Sequence, residues 1–341
     1  PKKPFRAPSK MEPPKYGEPI QYAKIDDSPS LAMDLIKFIQ KVTGKFLFYG
    51  RAIDNTMQHA LNEIACSKDN ETKHEATIYF LNYAASNPDA EIIFRASDMI
   101  LQIDSDAAYL VCPKARSRAG GYHYIGNKDK KLFNGPVLVL AKVIKNVMSS
   151  AAEAEVAALF MNAQEAIPIR HCLMDLGHPQ PPTPLKTDNS TAKGILTGEM
   201  KQKHTKAMDM RFYWLVNRVK QGHFEIYWEP GKNNLADYPT KHHSPAHHKR
   251  VRPIYLYNPE TSPSDIQGCV KLLQSVDTRK TKVEPTKRTK ILPSVSTGKS
   301  LNIRALKLTS KLKISNTKRT SLKRIQLISS QNNRITLHRL Q

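Results

Sequence analysis

Between Ala90 and Lys145 three strand-like stretches follow one another with only short turns between them: EIIFRASDMILQIDSDAAYL, GGYHYIG and GPVLVLAKVIK. Strands this close in sequence pair antiparallel, because a parallel pair needs a crossover of about a dozen residues or more. After them the texture alternates. SSAAEAEVAALFMNAQEAI predicts a helix capped by Ser150, with Val156, Leu159, Phe160 and Ala163 on one face and Pro168 bending or ending it. TPLKTD predicts a strand. TKAMDMRFYWLVNRVKQG predicts a helix with Met208, Phe212, Leu215, Val216 and Val219 inward and Gly222 as its stop. HFEIYWEP predicts another strand, with Phe224, Ile226 and Trp228 on its core side, and NNLADYPTKH opens a last helix or turn. The implied fold is α/β: a mixed five-stranded sheet with flanking helices, antiparallel on one side and crossed over in parallel on the other.

Four regions follow from this reading. Residues 1–27 are rich in Pro, Lys and Tyr and read as an extended lead-in. Residues 28–89 carry helical spacing: Leu31, Leu35, Phe38, Ile39 and Val42, then a helix capped by Asp54 or Asn55, then one capped by Thr72 with Ala76, Tyr79, Phe80 and Tyr83 on one side. The paired aspartates of IDDS, just before it, read as a solvated turn. The α/β domain spans 90–258. Residues 259–341 lack a consistent apolar face and read as a disordered basic tail.

Charge sharpens that division. The net charge is +23, and from Thr278 onward 17 Lys and Arg stand against one acid, Glu284. Such a tail is expected to meet polyanions, nucleic acid first, in a salt-dependent way; unselected read-through sequence is the competing explanation. No segment approaches the apolar length of a membrane span, and PKKPFRAPSK is not a signal peptide. The chain lacks an initiator Met, as expected of a fragment of a longer product. Cys66, Cys112, Cys172 and Cys269 stand apart without a C-x-x-C pair, which fits a reducing compartment and structural thiols.

Four acids sit at strand ends and helix starts, where such a sheet brings distant segments together: Asp106, Glu155, Asp188 and Asp237. Each has an ordinary reading of its own. Asp188 and Asp237 suit helix caps, Glu155 an exposed helix acid and Asp106 a turn. Clustered, they would repel one another unless a cation neutralised them, and oxygen ligands without His or Cys select Mg²⁺ or Mn²⁺. A pair of such ions is the apparatus for in-line hydrolysis of a phosphodiester.

The order Asp–Glu–Asp–Asp, with these surroundings, resembles the ribonuclease H domain of LTR retrotransposon Pol polyproteins of the copia-like type. SSAAEAEVAAL, TDNSTA and LADYPTKH are similar to that family's SSTEAEY, TDN and LADxxTK segments. KARSRAGGYHYIG and HTKAMDMRFYWL resemble its next strand and helix, and KFLFYGRAIDNTM more loosely its reverse transcriptase connection region. The resemblance covers roughly 98–243 and implies a ribonuclease H-like fold, with Asp106, Glu155, Asp188 and Asp237 as catalytic metal ligands for Mg²⁺ or Mn²⁺. It implies hydrolysis of the RNA strand of an RNA–DNA hybrid, association with the rest of a Pol polyprotein, and a place in the cytoplasm (in a virus-like particle) or the nucleus rather than secretion. Asn189 would face the substrate. Ala108 replaces the family's second Asp, so Asp104 competes with Asp106, as Glu153 does with Glu155. The loop EPGKNN carries Lys232 where related enzymes often carry His. No Tyr-x-Asp-Asp is present, so the chain is not expected to copy nucleic acid.

Other features keep two readings each. His204, Lys206 and Arg211 suit a phosphate backbone or an exposed polar face. Tyr213, Trp214, Tyr227 and Trp228 suit base stacking or core. HHSPAHH, with His242, His243, His247 and His248, suits zinc or a solvated basic tract. The alternative to an enzyme is a truncated, inactive copy that only binds nucleic acid. The transposase and integrase branch orders its acids differently.

Overall fold

The computed structural model describes residues 4–11, 26–130, 134–200 and 209–257, with the backbone of short segments at 301–304, 328–329 and 335–336. Its centre is a five-stranded mixed sheet of β2 (Ile100–Cys112), β3 (Arg116–Gly126), β4 (Pro136–Val147), β5 (Thr183–Thr187) and β6 (Phe224–Trp228), in the order β4-β3-β2-β5-β6. β2, β3 and β4 form the antiparallel meander, while β5 lies parallel to β2 and β6 parallel to β5. This is the ribonuclease H-like arrangement that the sequence resemblance implies.

One face of the sheet is covered by α4 (Ala151–Asp175), α5 (Ser190–Thr197) and α6 (Asp209–Lys220). Leu101, Ile103, Leu185 and Ile226 of the strands pack there against Val156, Leu159, Ala163, Leu196 and Leu215. Strand periodicity turns alternate residues of β2 the other way, and that face is rich in tyrosine: Tyr122, Tyr124, Tyr238 and Tyr255, the last on α7 (Pro245–Tyr255). Two glycines of GGYHYIG make these contacts possible. A Cβ on Gly120 would meet Thr240 at 2.4 Å, and one on Gly121 would meet Asn162 of α4 at 1.8 Å. Asn162 uses that space to donate to Gly120 O at 2.8 Å and Ser105 Oγ at 3.0 Å.

Ser150 caps α4 as expected, but Pro168 does not end it. The helix runs on to Asp175, and Arg170, just past the proline, ties it to the β5 lead-in by donating to Pro181 O at 2.7 Å. Burial of Ala163, Ala166 and Leu173 on either side of the proline offsets the hydrogen bond it removes. The short α5 follows β5 so closely that the sequence pattern merged it with the turn.

The helical block consists of α1 (Met33–Ala52), a 3-10 turn (Asn55–Met57), α2 (Gln58–Cys66) and α3 (Glu71–Ser86), packed around Ile39, Met57, Leu61, Phe80 and Tyr83. Asp54 accepts from Thr56 N at 3.1 Å. The cap of α3 is Asn70, not Thr72, because its carboxamide reaches Lys73 N at 3.1 Å. Ala76 is correspondingly exposed, and the buried stripe is Lys73, Thr77, Phe80 and Tyr83. The block is fastened to the sheet domain through α7: Tyr83 Oη and His248 Nε2 lie 2.7 Å apart, and Arg252 pairs with Asp54 at 3.2 Å. The described part of the lead-in is also docked, Phe5 donating through its N–H to Ser86 Oγ at 3.0 Å and meeting Tyr79 edge-on.

Of the basic tail, β7 (Leu301–Arg304), β8 (Ile328–Ser329) and β9 (Ile335–Thr336) are described. β7 pairs antiparallel with β1 (Glu91–Phe94), and β8 with β9. The remainder of 259–341 lies outside the described residues.

Candidate active site

The register of β2 on β5 builds the first half of the site. Ile103 lies level with Leu185 and Asp104 with Lys186. Asp104 and Lys186 form a buried ion pair at 2.7 Å. Two residues on, the same faces present Asp106 and Asp188, because side chains on a strand repeat every second residue. One rung thus carries opposite charges and the next carries like charges.

Asp104 is therefore taken up in structure rather than in the acid group. Besides Lys186 it accepts from Leu235 N at 3.1 Å. Lys186 donates to Asn233 O at 2.9 Å, and Asn234 donates to Ser105 O at 2.8 Å. These bonds pin the loop after β6 onto β2 and so deliver Asp237.

Glu155 enters from α4, one turn past its cap. Ser150 Oγ accepts from Glu153 N at 3.2 Å, while the Glu153 carboxylate accepts from Ser149 N, the residue before the cap, at 2.5 Å, so Glu153 is occupied at the helix start. Glu155 reaches the sheet instead, accepting from Ala107 N at 3.0 Å and from Thr187 Oγ1 at 3.4 Å. Asp106, Glu155 and Asp188 each place a carboxylate oxygen within 4.8 Å of the others.

Asp237 stands at the rim of this group. It occupies the N-terminal boundary of a 3-10 turn (Tyr238–Thr240) without a side-chain cap bond, so it opens a single turn rather than a long helix. Thr240 Oγ1 lies 2.7 Å from both Asp106 Oδ2 and Asp237 O, which links the two aspartates. Lys241 ion-pairs with Asp237. Burial alone would lower the Lys241 ammonium, but Asp106, Asp237 and Asp188 around it hold its pKa up. The sequence signal for Lys241 is its i,i+4 spacing from Asp237, a step within reach of a salt bridge.

Electrostatics follow from packing acids together. Burial and then the Asp237 charge push Asp106 up to about 6. Burial, with Asp106 and Asp188 adding to it, pushes Glu155 up to about 9. Asp188 is raised too, chiefly by burial. Carboxylates in this state resist ionising until a cation joins them. The donors are all oxygens, which fits a hard divalent ion such as Mg²⁺ or Mn²⁺ rather than zinc.

The remaining expected site residues lie as follows. Asn189 caps α5, its Oδ1 accepting from Ala192 N at 2.9 Å; the capping role falls to Asn189 and leaves Asp188 free of it. Arg211 donates to Asn146 Oδ1 of β4 at 3.0 Å and lies over the Phe160 ring of α4. His204, Lys206 and Met208 fall outside the described residues. Trp228 does not join the core: it is 47% exposed, and its indole N–H donates to Asp188 O at 2.8 Å. Gly231 went unnoticed in the sequence, yet a Cβ there would stand 2.5 Å from Asp188 Oδ2. HHSPAHH is not a solvated tract. His248 is buried between Tyr83 and Tyr238, and His243 stacks on Tyr238 at 4.5 Å.

No family model matches the sequence, and no curated protein matches it. Among solved structures, the N-terminal RNase H domain of a Mycobacterium tuberculosis protein shares 16% identity, covering 42% of this chain and 91% of its own, with a TM-score of 0.30. The RNase H1 LC11 from a compost metagenome, in complex with an RNA/DNA hybrid, shares 13% identity over 40% of this chain and 91% of its own at a TM-score of 0.31. The foamy viral protease-reverse transcriptase in complex with dsDNA shares 15% over 60% of this chain and 40% of its own at 0.38.

Proposed function

We propose that this chain is a divalent-metal ribonuclease H that hydrolyses the RNA strand of RNA–DNA hybrids, and that it derives from a retroelement Pol polyprotein of the copia-like type. The observation that carries the reading is the meeting of Asp106, Glu155 and Asp188, from segments far apart in sequence, within 4.8 Å. The four-acid order in the sequence supports the rest.

In this reading Asp106, Glu155, Asp188 and Asp237 hold the metal. Bound there, a divalent ion would activate water and steady the leaving oxygen of the phosphodiester. Ala107 N and Thr187 fix the Glu155 carboxylate, and Thr240 fixes Asp106. Trp228 anchors the backbone of Asp188 and offers an exposed ring for a base or sugar beside it. Asn189, committed through Oδ1 to its cap, has its amide nitrogen for the 2′-hydroxyl that distinguishes RNA. His204, Lys206 and Arg211 are assigned to the phosphate backbone, and the basic tail to non-specific nucleic-acid contact.

A second reading, hybrid binding without cleavage, draws on Lys241, which already neutralises part of the acid group. One assay separates them: a labelled hybrid incubated with Mg²⁺, comparing wild type with Asp188→Asn. Metal-dependent product from wild type alone supports the nuclease. Affinity for the hybrid with no product from either protein supports binding only, and equal product from both removes Asp188 from the chemistry.

A further inference from the structure

A second group of metal-ligand side chains stands outside the acid site. His59, Glu63 and His242 each place one ligand atom within 4.8 Å of the others. His59 and Glu63 lie one helical turn apart on α2, so they share a face. His242 arrives from the segment that follows the Asp237 turn. We propose that these three residues form a zinc site that clamps the helical block to the segment carrying Asp237.

The chemistry of the donor set points to zinc. Two imidazoles and one carboxylate suit Zn²⁺ and are a poor match for Mg²⁺, which takes oxygen ligands. Ligand atoms bound about 2.0–2.2 Å from a tetrahedral ion stand roughly 3.3–3.6 Å apart. His242 Nε2 and the Glu63 carboxylate already face each other at 3.0 Å, so a spread of a few tenths of an ångström admits the ion. The other ring nitrogen, His242 Nδ1, lies 3.1 Å from Ser9 Oγ, the kind of outer partner that fixes the ring of a metal-bound histidine. His59 is buried and edge-on to His242, with ring centroids 4.4 Å apart. Arg118, a nearby fixed cation, donates to Asn62 Oδ1 at 2.9 Å and reaches Cys112 Sγ.

Three protein ligands leave a fourth position for water. The site joins parts of the chain that meet only in the folded state: the lead-in through Ser9, the helical block through His59 and Glu63, and the segment after the Asp237 turn through His242. Zinc there would be folding energy for that junction. It does not depend on the nuclease reading, since none of its ligands belongs to the acid group.

The test is zinc binding by the full chain, stripped with chelator and then titrated in excess Mg²⁺ to satisfy the acid group. One equivalent of Zn²⁺ with micromolar or tighter affinity is expected, accompanied by a rise in the thermal midpoint. His242→Ala and Glu63→Gln should each weaken binding well beyond about 10-fold, and Ser9→Ala by about 10-fold, the range for an outer partner. Asp188→Asn and the exposed His171→Ala should leave it unchanged. Co²⁺ in place of zinc gives a readout that needs no variant: intense visible bands from a tetrahedral ion. No stoichiometric zinc, weak octahedral Co²⁺ bands, or equal loss in His171→Ala would each overturn the proposal.

Discussion

Asp104 and Lys186 face each other at 2.7 Å across β2 and β5, and two residues further on Asp106 of β2 meets Asp188, just past the end of β5. The two rungs should respond oppositely to charge removal. Lys186→Ala leaves Asp104 buried without its cation and should cost about 3–5 kcal/mol of unfolding free energy. Asp188→Asn relieves repulsion, so metal-free stability should hold or rise slightly. Urea unfolding of both variants without divalent ions checks the pair, and a Lys186→Ala protein as stable as wild type would contradict it.

The acid group's contribution to the stability of the metal-free protein should fall as pH rises. Asp106 and Glu155 are raised above their ordinary values by burial and then by neighbouring acids. Over that span the folded state binds more protons than the unfolded one, so their contribution is fully present below the unfolded pKa and lost through the folded one. The window runs from the ordinary carboxylate range near 4 up to about 9, the upper end set by Glu155. Adding Mg²⁺ replaces the protons, so its stabilisation should be larger at pH 8 than at pH 5 and its binding should release protons. Thermal midpoints across pH, with and without Mg²⁺, measure this.

Much of this arrangement was legible because it rests on local periodicity. The meander, the cap at Ser150, the stop at Gly222 and the core positions Val156, Leu159, Ala163, Phe212 and Leu215 follow from residues within a few positions of one another, whereas Phe160 lies half-buried against Trp214. What eluded the sequence is set by partners far along the chain. Trp228 has the period of a core residue, yet its strand ends where β5 does, and the ring finds Asp188 O instead. Asn70 wins the α3 cap from Thr72 because only its side chain reaches Lys73 N. His248 read as solvated until the tyrosines of two other elements closed around it. The acids themselves had ordinary local readings. Their meeting comes from the β2–β5 register and from the loop held by Lys186 and Asp104, neither of which is written in spacing.

Gly231→Ala should separate positioning from stability. The added Cβ would stand 2.5 Å from Asp188 Oδ2, and the carboxylate is the part free to yield. Gly231 lies in an exposed turn, so the unfolding free energy should move by no more than about 0.5 kcal/mol. Displacing the carboxylate by about 1 Å should lower hybrid cleavage by roughly 100-fold. A turnover rate equal to wild type would show that Asp188 is not held where the reaction needs it.

Lys241→Gln should tighten divalent binding. Its ammonium pairs with Asp237 and is held charged by Asp106 and Asp188, so it competes with a metal for the same negative charge. The side chain is half exposed, and solvent screens most of the direct Coulomb energy. A gain in Mg²⁺ affinity of about three- to tenfold, or roughly 0.7–1.4 kcal/mol, is therefore expected. The Mg²⁺ concentration giving half-maximal thermal stabilisation reads this without relying on catalysis. If cleavage falls while Mg²⁺ binds more tightly, Lys241 also meets the substrate phosphate, and the motif that carries it joins charge balance to positioning. If Mg²⁺ binds more weakly, the ammonium is organising the carboxylates for the ion rather than standing in its place.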